Sequence, residues 1–417
     1  MSAQNARLLE AHSSNCVIHH DHCEACGAGF NAVDNELAPV YMQFPYAEDV
    51  SYPEISHMLC KRCDSQAQQL PKNLLQWNTE NVQQELKKLR QDTSHATPCS
   101  SLVAEPHEKK QKHSTERYLI YGGKSGWLGN QLVDLCTEQG LEFMCSTVRI
   151  ENRDKLEKEL DLYQPTRVLM AAGITGRPTV DFCEDHKQDV IRTNVIGTLN
   201  VVDACYTRNI HVTNFATGCI FKYDESHIVG GQGFKEEDTP NFNGSFYSHT
   251  KGMVENLLQN YDNCLTLRIR MPISADLHHR NFVTKILNYA KVVNIPNSMT
   301  TLDDMLPIAL RASKQKLTGI LNFCNPGAIS HNEILEMYRE IIDPSFTWEN
   351  FSEAECNAIL KAQRSNNTLN ATKLLALFPE VPEIHEACRR AFLKMAHTIV
   401  QMGRPALMQQ GWKFPKQ

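Results

Sequence analysis

The sequence predicts a doubly wound α/β protein with a parallel sheet, a small C-terminal subdomain and a small separate N-terminal module. Three observations support this fold class: apolar strand segments alternate with helical segments from Glu116 onward, a glycine-rich turn follows the first of those strands, and two Cys-x-x-Cys pairs precede them. Strands that are spaced by helices pair in parallel and are covered on both faces. A chain of 417 residues is long enough for two or three domains.

The α/β prediction rests on short strand segments that alternate with helical segments along the chain. The predicted strands cover residues 117–121, 141–146, 167–172, 211–216 and 265–270. The predicted helices cover residues 130–139, 153–163 and 189–208. The stretch from about residue 281 is mixed, with helices near 334–341 and 384–401.

Changes of composition divide the chain. Residues 1–91 hold five cysteines and form the predicted N-terminal module. Residues 92–115 are polar, contain two prolines and end in a Lys- and His-rich run, so they are predicted to be a linker. The α/β domain is predicted over residues 116–402, and residues 403–417 are predicted to be a tail.

Composition and charge exclude several classes of protein. The chain carries 42 Lys and Arg against 48 Asp and Glu, a formal net charge of −6, which gives no global basis for binding nucleic acid or an anionic membrane. No apolar run approaches the roughly 18 residues of a membrane span, and the N-terminus lacks the basic and apolar regions of a secretory signal. We therefore expect a cytoplasmic protein without nucleic-acid or membrane partners.

The 15 cysteines are an odd number in a long chain, which argues for a reducing compartment without disulfides. Four of them, Cys23, Cys26, Cys60 and Cys63, form two Cys-x-x-Cys pairs. Two-residue spacing lets two thiolates occupy adjacent corners of a tetrahedron, which predicts a structural Cys₄ zinc site. The alternative ligands, one of which could replace a cysteine or bind a second ion, are Cys16, His19, His22 and His57.

Other functions of the N-terminal module are less favoured. No thioredoxin-like βαβ pattern surrounds the cysteine pairs, which argues against thiol redox chemistry. Residues 1–115 carry ten Lys and Arg against fourteen Asp and Glu, which argues against a nucleic-acid-binding finger. We expect a module for protein interaction or oligomerisation, whose partner the sequence does not identify.

The glycine-rich turn after the first predicted strand has a Gly-x-x-Gly-x-x-Gly spacing at Gly123, Gly126 and Gly129. Glycines at these points permit a tight turn, let the backbone approach a pyrophosphate and allow close packing of helix on strand. The helix N-terminus supplies N–H groups to the phosphates. The turn therefore predicts a Rossmann dinucleotide-binding site.

The end of the second predicted strand indicates which dinucleotide is bound. An acidic residue there would hold a ribose 2′-hydroxyl, whereas an arginine accommodates a 2′-phosphate. This sequence offers Ser146, Thr147 and Arg149 before any acidic residue, which favours NADP(H). The alternative is that Arg149 is a solvated loop residue.

A tyrosine and a lysine lie one helical turn apart in Tyr247-Ser-His-Thr-Lys251. A lysine at this distance favours the tyrosinate and can hold a ribose, which suits the phenol for donating a proton to a carbonyl. Thr217 lies thirty residues upstream at the end of a predicted strand, where ligands bind in open α/β folds. These three residues are the candidate catalytic group for hydride transfer.

With these motifs in place, the sequence resembles the extended short-chain dehydrogenase/reductases, and among them the nucleotide-rhamnose synthases, which are bifunctional 3,5-epimerase/4-reductases. The resemblance runs from about residue 118 to about residue 374. The similar segments are YGGKSGWLG, AAGITGRPTVDFCE, RTNVIGTLNV, ATGCIF, GFKEEDTPNF, GSFYSHTK, LRIRMPIS, NFVTKI, IPNSMT, NPGAISHNEILEMYR and RSNN. One departure is the doubled glycine Gly122–Gly123, which adds a residue to the turn.

The resemblance implies an NADPH-dependent enzyme that converts UDP- or dTDP-linked 4-keto-6-deoxy-D-glucose to nucleotide-β-L-rhamnose. Cys219 matches the cysteine that acts in epimerisation in the related fucose-nucleotide synthases, and Lys285 stands where those enzymes carry a histidine. Further matches add cofactor-binding residues at Trp127, Leu128, Ala171, Ala172 and Gly173. Matches that could bind sugar or diphosphate are Arg177, Asn281, Arg364, Asn366 and Asn367.

Several alternatives remain open at this level. Cys219 could be a buried small apolar residue, and Lys285 a surface lysine or a diphosphate contact. The enzyme could be a 4-reductase without epimerase activity, which Cys219 argues against. The chain could also be a non-catalytic Rossmann regulatory subunit joined to a zinc adaptor, which the presence of Thr217, Tyr247 and Lys251 together argues against. A homodimer is possible.

Overall fold

The computed structural model describes residues 38–41, 56–59, 116–176 and 179–415. The chain divides into two compact units, residues 1–110 and 111–417. In the first unit, strands β1 (Ala38–Tyr41) and β2 (Ser56–Leu59) pair in antiparallel fashion, with Ala38 opposite Leu59. The predicted zinc ligands Cys23, Cys26, Cys60 and Cys63 lie outside the described residues, as does the predicted linker.

The second unit is built on a six-stranded sheet in which every neighbouring pair of strands is parallel, which confirms the predicted fold class. The strands in chain order are β3 (Arg117–Tyr121), β4 (Glu142–Cys145), β5 (Arg167–Met170), β6 (His211–Thr217), β7 (Cys264–Ile269) and β9 (Gly319–Asn322). Their order in the sheet is β4-β3-β5-β6-β7-β9. A two-residue parallel pair, β8 (Lys291–Val292) with β10 (Glu349–Asn350), lies apart from this sheet.

Helices connect the strands, as the right-handed crossovers of a parallel sheet require. Those that precede β9 are α1 (Trp127–Glu138), α2 (Arg153–Tyr163), α3 (Phe182–Asp185), α4 (Lys187–Val190), a π-helix (Ile191–Gly197), α5 (Thr198–Tyr206), α6 (Phe246–Leu258), α7 (Phe282–Leu287) and α8 (Leu302–Lys314). Those after β9 are α9 (His331–Ile341), α10 (Glu353–Ile359), α11 (Thr372–Leu377), α12 (Ile384–Met402) and α13 (Arg404–Gln409).

The apolar strands are covered on both faces. Leu119, Val168 and Val212 pack on one side with helices α2 and α5, whereas Ile120 and Leu169 pack on the other with helices α1 and α8. Successive residues of a strand point to opposite faces, so only a doubly covered strand buries a continuous apolar run. This burial explains the unbroken apolar runs in strands β3 and β5.

A separate apolar cluster forms the C-terminal subdomain. Helices α7, α9 and α12 contribute to it, and its buried members include Ile286, Leu335 and Phe392. Helix α9 begins at a capping box in which the Ser330 hydroxyl accepts from the Glu333 backbone and the Glu333 carboxylate accepts from the Ser330 backbone. The segment predicted as a tail carries helix α13, and its Trp412 and Phe414 pack against the same cluster.

Several elements differ from the sequence prediction. The single helix predicted over residues 189–208 is instead helix α4, a seven-residue π-helix and helix α5. Strand β9 was not predicted, because its Gly319–Asn322 segment is short and its first residue is exposed. Among the described residues, no helix combines the length and apolar character that a bilayer crossing requires.

Candidate active site

The predicted catalytic residues gather at the carboxyl edge of the sheet. Thr217 is the last residue of β6, and Cys219 follows two residues later with its backbone N–H donating to the Thr217 hydroxyl at 3.1 Å. Arg270 directly follows the adjacent strand β7. In a doubly wound sheet, this edge is where ligands bind. Strand pairing therefore places the ends of β6 and β7 side by side at the candidate site.

The glycine-rich turn between β3 and α1 is closed by Gly122, one residue ahead of the predicted spacing. Gly122 has φ +86°, and a Cβ there would lie 2.8 Å from the carbonyl oxygen of Ala171. Its carbonyl accepts a hydrogen bond from the Gly126 backbone at 3.0 Å. Gly122 is therefore required by both conformation and space. The doubled glycine in the sequence was the signal for it.

Gly126 and Gly129 are required by close approach to the same carbonyl. A Cβ at Gly126 would lie 2.6 Å from the Gly122 oxygen, and one at Gly129 would lie 2.2 Å from it. Helix α1 begins after Gly126 without a side-chain cap and without an acidic residue in its first turn. Its N–H groups and the positive end of its dipole are thus available to an anion such as a pyrophosphate. A dinucleotide fits this turn.

The neighbouring predicted cofactor residues surround this turn. The Trp127 indole donates to the Asp276 carboxylate at 3.1 Å and stacks on His278, which ties helix α1 to the segment after β7. Ala171 donates its backbone N–H to Tyr121 at 3.0 Å and thereby continues the β5–β3 pairing toward the turn. Leu128, Ala172 and Gly173 are at least partly exposed at the same edge.

Arg149 lies on a cavity of about 680 Å³ whose lining includes Glu151, Arg192, Thr193 and Ile174. The Arg149 side chain is 78% exposed and donates to the Glu151 carboxylate at 2.9 Å. The Thr193 hydroxyl also donates to that carboxylate. Burial acts to raise the pKa of Glu151, but hydrogen bonds from the Thr193 hydroxyl, from a backbone N–H and from the Arg149 guanidinium together lower it below its ordinary value. Two guanidinium groups at one cavity suit a phosphate, and Arg192 was not predicted from the sequence.

Helix α6 presents Tyr247 and Lys251. The helix begins at Ser245, whose hydroxyl accepts from the Ser248 backbone at 3.1 Å, and the Glu184 carboxylate accepts the backbone N–H of Phe246 at 2.7 Å. Both contacts satisfy N–H groups that a helix start leaves without partners. They fix the helical turn in which Tyr247 lies.

The electrostatic environments of Tyr247 and Lys251 differ. Burial raises the pKa of Tyr247 well above its ordinary value, the Cys219 thiol raises it further, and the Thr217 hydroxyl opposes both. Burial lowers the pKa of Lys251 to about 8, and the Glu255 carboxylate one turn away partly offsets this effect. The phenol is therefore held as a proton donor, and the lysine changes its charge near neutral pH. The structure brings together Thr217, Tyr247 and Cys219, and their catalytic roles stay a prediction.

Cys219 has two cationic neighbours. Its sulfur accepts a hydrogen bond from the Arg270 Nη1 at 3.2 Å. Lys285, on helix α7, is half-buried, and burial lowers its pKa while the Cys219 thiol opposes and the Arg364 guanidinium adds to this effect. Cys219 and Lys285 are thus close enough to interact electrostatically. Arg270 was not predicted from the sequence.

The predicted substrate-binding residues have partners within the protein. Asn281 is completely buried, caps helix α7 through Val283 and donates to the carbonyl of Ser274 at 2.8 Å. Arg364 forms a bidentate ion pair with Asp181, with N–O distances of 3.1 and 3.2 Å.

Two further predicted residues form hydrogen bonds near the candidate site. Asn367 is completely buried and donates to the carbonyl of Gly218 at 3.1 Å, next to Cys219. Asn366 accepts from Asn297 at 3.1 Å. Arg177 lies outside the described residues. Substrate binding by these residues stays a prediction.

The nine cysteines among the described residues are unpaired thiols, and most of them are buried. Within residues 38–41, 56–59, 116–176 and 179–415, no group of three or more His, Cys, Asp or Glu side chains is arranged to hold a metal ion. The predicted zinc ligands fall outside these ranges.

Comparison with known proteins identifies the family to which this chain belongs. The family of the RmlD substrate binding domain matches residues 117–306. A bifunctional dTDP-4-dehydrorhamnose 3,5-epimerase/dTDP-4-dehydrorhamnose reductase of Arabidopsis thaliana is 56% identical over 276 residues, which are 66% of this chain and 91% of that protein. The chain belongs to the family of dTDP-4-dehydrorhamnose reductases and UDP-rhamnose synthases.

A longer relative and two solved structures are also similar to this chain. A trifunctional UDP-glucose 4,6-dehydratase/UDP-4-keto-6-deoxy-D-glucose 3,5-epimerase/UDP-4-keto-L-rhamnose-reductase of Arabidopsis thaliana is 55% identical over 65% of this chain, which spans 41% of that longer protein. The crystal structure of a UDP-rhamnose synthase of Acanthamoeba polyphaga mimivirus is 41% identical, with a TM-score of 0.64 over 67% of this chain and 99% of that chain. A dTDP-4-dehydrorhamnose reductase of Bacillus anthracis in complex with NADP, 20% identical with a TM-score of 0.60 over 67% of this chain and 99% of that chain, shares the fold.

Proposed function

We propose that this chain is an NADPH-dependent 3,5-epimerase/4-reductase that converts UDP- or dTDP-4-keto-6-deoxy-D-glucose to nucleotide-β-L-rhamnose. The observation that carries the proposal is the arrangement at the end of β6, where Cys219 interacts with the proton donor Tyr247 and with Lys285. A reductase alone needs Tyr247 and Lys251 but has no use for a cysteine base. The 56% identity to a bifunctional epimerase/reductase supports both activities.

The residues of the chain suit NADP(H). The glycine turn and the start of helix α1 would hold the pyrophosphate, and Arg149 with Arg192 would hold a 2′-phosphate. Lys251 would hold the ribose next to the reacting ring. When bound, NADPH supplies the hydride that reduces the C4 carbonyl of the sugar.

Replacement of Arg149 by alanine is expected to lower the preference for NADPH over NADH, measured as the ratio of kcat/KM values.

Epimerisation uses the acidity that the 4-ketone gives to the protons at C3 and C5. The sulfur of Cys219 removes one of these protons and leaves an enolate, and the Lys285 ammonium returns a proton to the opposite face. Burial lowers the pKa of Lys285, which makes the ammonium a stronger acid. Exchange with water then resets both groups for the second centre.

Reduction follows at C4. Tyr247 donates the proton that the carbonyl oxygen needs as the hydride arrives, and the Thr217 hydroxyl on the same phenol orients it. The raised pKa of Tyr247 keeps the proton on the phenol until a ligand arrives, and the charge of Lys251 stabilises the tyrosinate that is left.

The deciding experiment incubates the full chain with NADPH and either UDP- or dTDP-4-keto-6-deoxyglucose while absorbance and product sugar are followed. We expect NADPH oxidation and nucleotide-L-rhamnose with at least one nucleotide. No oxidation with either nucleotide contradicts the proposal. Formation of the 4-reduced sugar with unchanged C3 and C5 centres would instead identify a reductase without epimerase activity.

Two variants separate the steps. In deuterated water, Cys219→Ala is expected to abolish deuterium incorporation at C3 and C5, because the base is missing. Tyr247→Phe is expected to preserve incorporation and stop reduction, because only the proton donor for C4 is missing. Exchange that survives in the cysteine variant would remove the proposed role of Cys219.

We also propose that Cys23, Cys26, Cys60 and Cys63 hold one structural zinc ion in a module for protein interaction. The support is the two-residue spacing of both pairs and the antiparallel pair β1–β2, which lies between them in the chain. Elemental analysis of the full chain is expected to give about one zinc per chain and close to none after Cys60→Ser and Cys63→Ser together. A wild-type chain purified without zinc at this stoichiometry would contradict the proposal.

A homodimer is proposed as well. Its support is the exposure of Met253 and Leu257, which lie one turn apart on helix α6 and present apolar surface to solvent. Sedimentation velocity of the wild type and of Met253→Glu is expected to show a dimer and a weakened dimer, respectively. A monomeric wild type would contradict this proposal.

A further inference from the structure

Arg270 is the largest charged group buried at the candidate site. Its side chain is completely buried directly after strand β7, and its Nη1 donates to the Cys219 sulfur at 3.2 Å. Its remaining partners are neutral: the Ser365 hydroxyl and carbonyl, each at 3.0 Å, and the Asn297 side-chain oxygen. Among the described residues, no carboxylate forms an ion pair with this guanidinium.

Arg268, two residues earlier and within strand β7, provides a contrast. Arg268 is equally buried but forms an ion pair with Glu255 at 2.7 Å. A buried charge without a counter-charge is costly, and arginine does not escape the cost by losing its proton.

Three groups that can become anions lie near Arg270. Its charge acts to lower the pKa of the Tyr223 phenol and of the Cys324 thiol, although burial raises both pKa values. The sulfur of Cys219 is the one of the three to which Arg270 donates a hydrogen bond.

The backbone around Cys219 is shaped to admit the Arg270 side chain. A Cβ at Gly218 would lie 2.5 Å from Cδ1 of Leu369 and 3.0 Å from both Cγ and Cδ of Arg270, so any other residue there would require these side chains to shift. The Thr300 hydroxyl accepts the Arg270 backbone N–H at 3.0 Å. Arg270 is therefore held both at its backbone and at its guanidinium, and one of the hydrogen bonds of the guanidinium goes to the Cys219 sulfur.

We propose that Arg270 is the positioning residue that holds Cys219 as a thiolate in a fixed position, and so prepares it to start the epimerisation as the base, with Lys285 as the acid. This inference rests on the proposed epimerase/reductase function. The thiolate takes the proton from carbon and becomes a thiol, while the electron pair of the C–H bond enters the enolate. The Lys285 ammonium then gives its proton to the opposite face and becomes an amine.

The order follows from charge. Before the step, the site holds one thiolate between two cations, Arg270 and Lys285, and after it the negative charge lies on the enolate oxygen. The Arg270 guanidinium keeps its positive charge over the whole pH range in which the enzyme works, so it stabilises the thiolate throughout that range. Lys285 can give up its proton, because burial lowers its pKa. Arg270 therefore stabilises the thiolate, whereas Lys285 donates the proton.

The test measures how fast iodoacetamide alkylates Cys219 in the full chain as a function of pH, with the modified peptide quantified by mass spectrometry. Iodoacetamide reacts with the thiolate, so the midpoint of this profile reports the ionisation of Cys219 without substrate or cofactor. We expect Arg270→Gln to move the midpoint upward by about 1 pH unit or more. Arg270→Lys keeps a positive charge and is expected to restore most of this shift.

Thr300→Val is the matched control. It removes a buried hydrogen bond to the backbone of Arg270 but leaves the guanidinium in place. We expect it to lower thermal stability while the alkylation midpoint stays at the wild-type value. Where Arg270→Gln does not fold, Asn297→Asp replaces it, because a carboxylate on the far side of the guanidinium competes with Cys219 for its charge.

Deuterium exchange at C3 and C5 provides the second readout. At pH 7, Arg270→Gln is expected to slow exchange by about tenfold more than it slows reduction of an already epimerised 4-keto-L-rhamnose nucleotide. An unchanged alkylation midpoint in Arg270→Gln, or in Asn297→Asp when that variant is needed, overturns the proposal. Absence of turnover and exchange in the wild type would contradict the proposed function instead, and the alkylation result would stand by itself.

Discussion

Arg268 and Glu255 form an ion pair at 2.7 Å in which only 1% and 3% of the two side chains are exposed. The pair joins strand β7 to helix α6, the helix that carries Tyr247 and Lys251. The guanidinium also donates to the carbonyls of Lys235 and Glu236, at 3.1 and 3.2 Å. This pair therefore holds the catalytic helix on the sheet.

Loss of one partner of this pair is expected to be costly. Glu255→Gln leaves the buried Arg268 without a counter-charge, and we expect the free energy of unfolding to fall by about 3–5 kcal/mol. Urea denaturation measures the loss. Glu386→Gln is the control, because it breaks an exposed pair with Arg390 at 2.8 Å and is expected to cost about 0.5 kcal/mol or less. Similar losses in both variants would contradict the importance of burial.

Reduction is expected to depend on the charge of Lys251. Burial lowers its pKa to about 8, so Lys251 is cationic below that pH and neutral above it. We expect kcat/KM for reduction of an already epimerised substrate to fall as the pH rises through about 8. Lys251→Arg keeps its charge and is expected to lose this alkaline decrease at a lower absolute rate. A decrease at the same pH in the arginine variant would assign it to another group.

The glycine turn predicts a binding defect with a matched control. A Cβ at Gly129 would lie 2.2 Å from the Gly122 oxygen, whereas a Cβ at Gly252, in helix α6, meets nothing closer than 3.6 Å. We expect Gly129→Ala to weaken NADPH binding by more than tenfold in fluorescence titration. Gly252→Ala should bind normally and gain up to about 1 kcal/mol of stability from its higher helix propensity. Normal binding by Gly129→Ala would refute the role of the close approach.

Acid destabilisation is expected to involve His331. This residue is 8% exposed at the start of helix α9, and burial lowers its pKa to about 4. The unfolded chain takes up a proton below about 6.5, whereas the folded chain does so only near 4, so stability is lost as the pH falls through this window. Between these two pH values, the unfolding free energy of His331→Phe is expected to change less than that of the wild type, by up to about 3 kcal/mol. A slope equal to that of the wild type would contradict this expectation, and the difference in slope should vanish above pH 8.

The sequence was sufficient for those parts of the fold that local patterns determine. Strands β3 and β5 were predicted because every position after their first arginine is apolar and buried, and helix α2 was predicted with its boundaries at Arg153 and Tyr163. Helix α8 was not predicted. It contains Pro307, which breaks the usual pattern, although its buried face includes Met305 and Ala309.

The candidate site shows a similar division. Tyr247 and Lys251 share one helix, so their spacing alone predicts their proximity. The contact between Arg270 and Cys219 joins residues 51 positions apart, and only the pairing of β6 with β7 brings them together. Arginines in strands are common, and no sequence pattern distinguishes Arg270, which bonds to sulfur, from Arg268, which bonds to a carboxylate.

The π-helix of Ile191–Gly197 changes the rotational position of the residues that follow it relative to the residues that precede it. Thr193 and Asn194 face the cofactor side, where Asn194 accepts the Ile174 backbone N–H at 2.8 Å, while Val201 and Val202 in helix α5 are buried in the core. A wider turn holds more residues than an α-helical turn, so it rotates helix α5 about the helical axis relative to helix α4. A one-residue deletion in this segment would turn either the Asn194 amide or the two valines about 100° away from its contacts. The length of this segment therefore sets the rotational alignment of cofactor site and core.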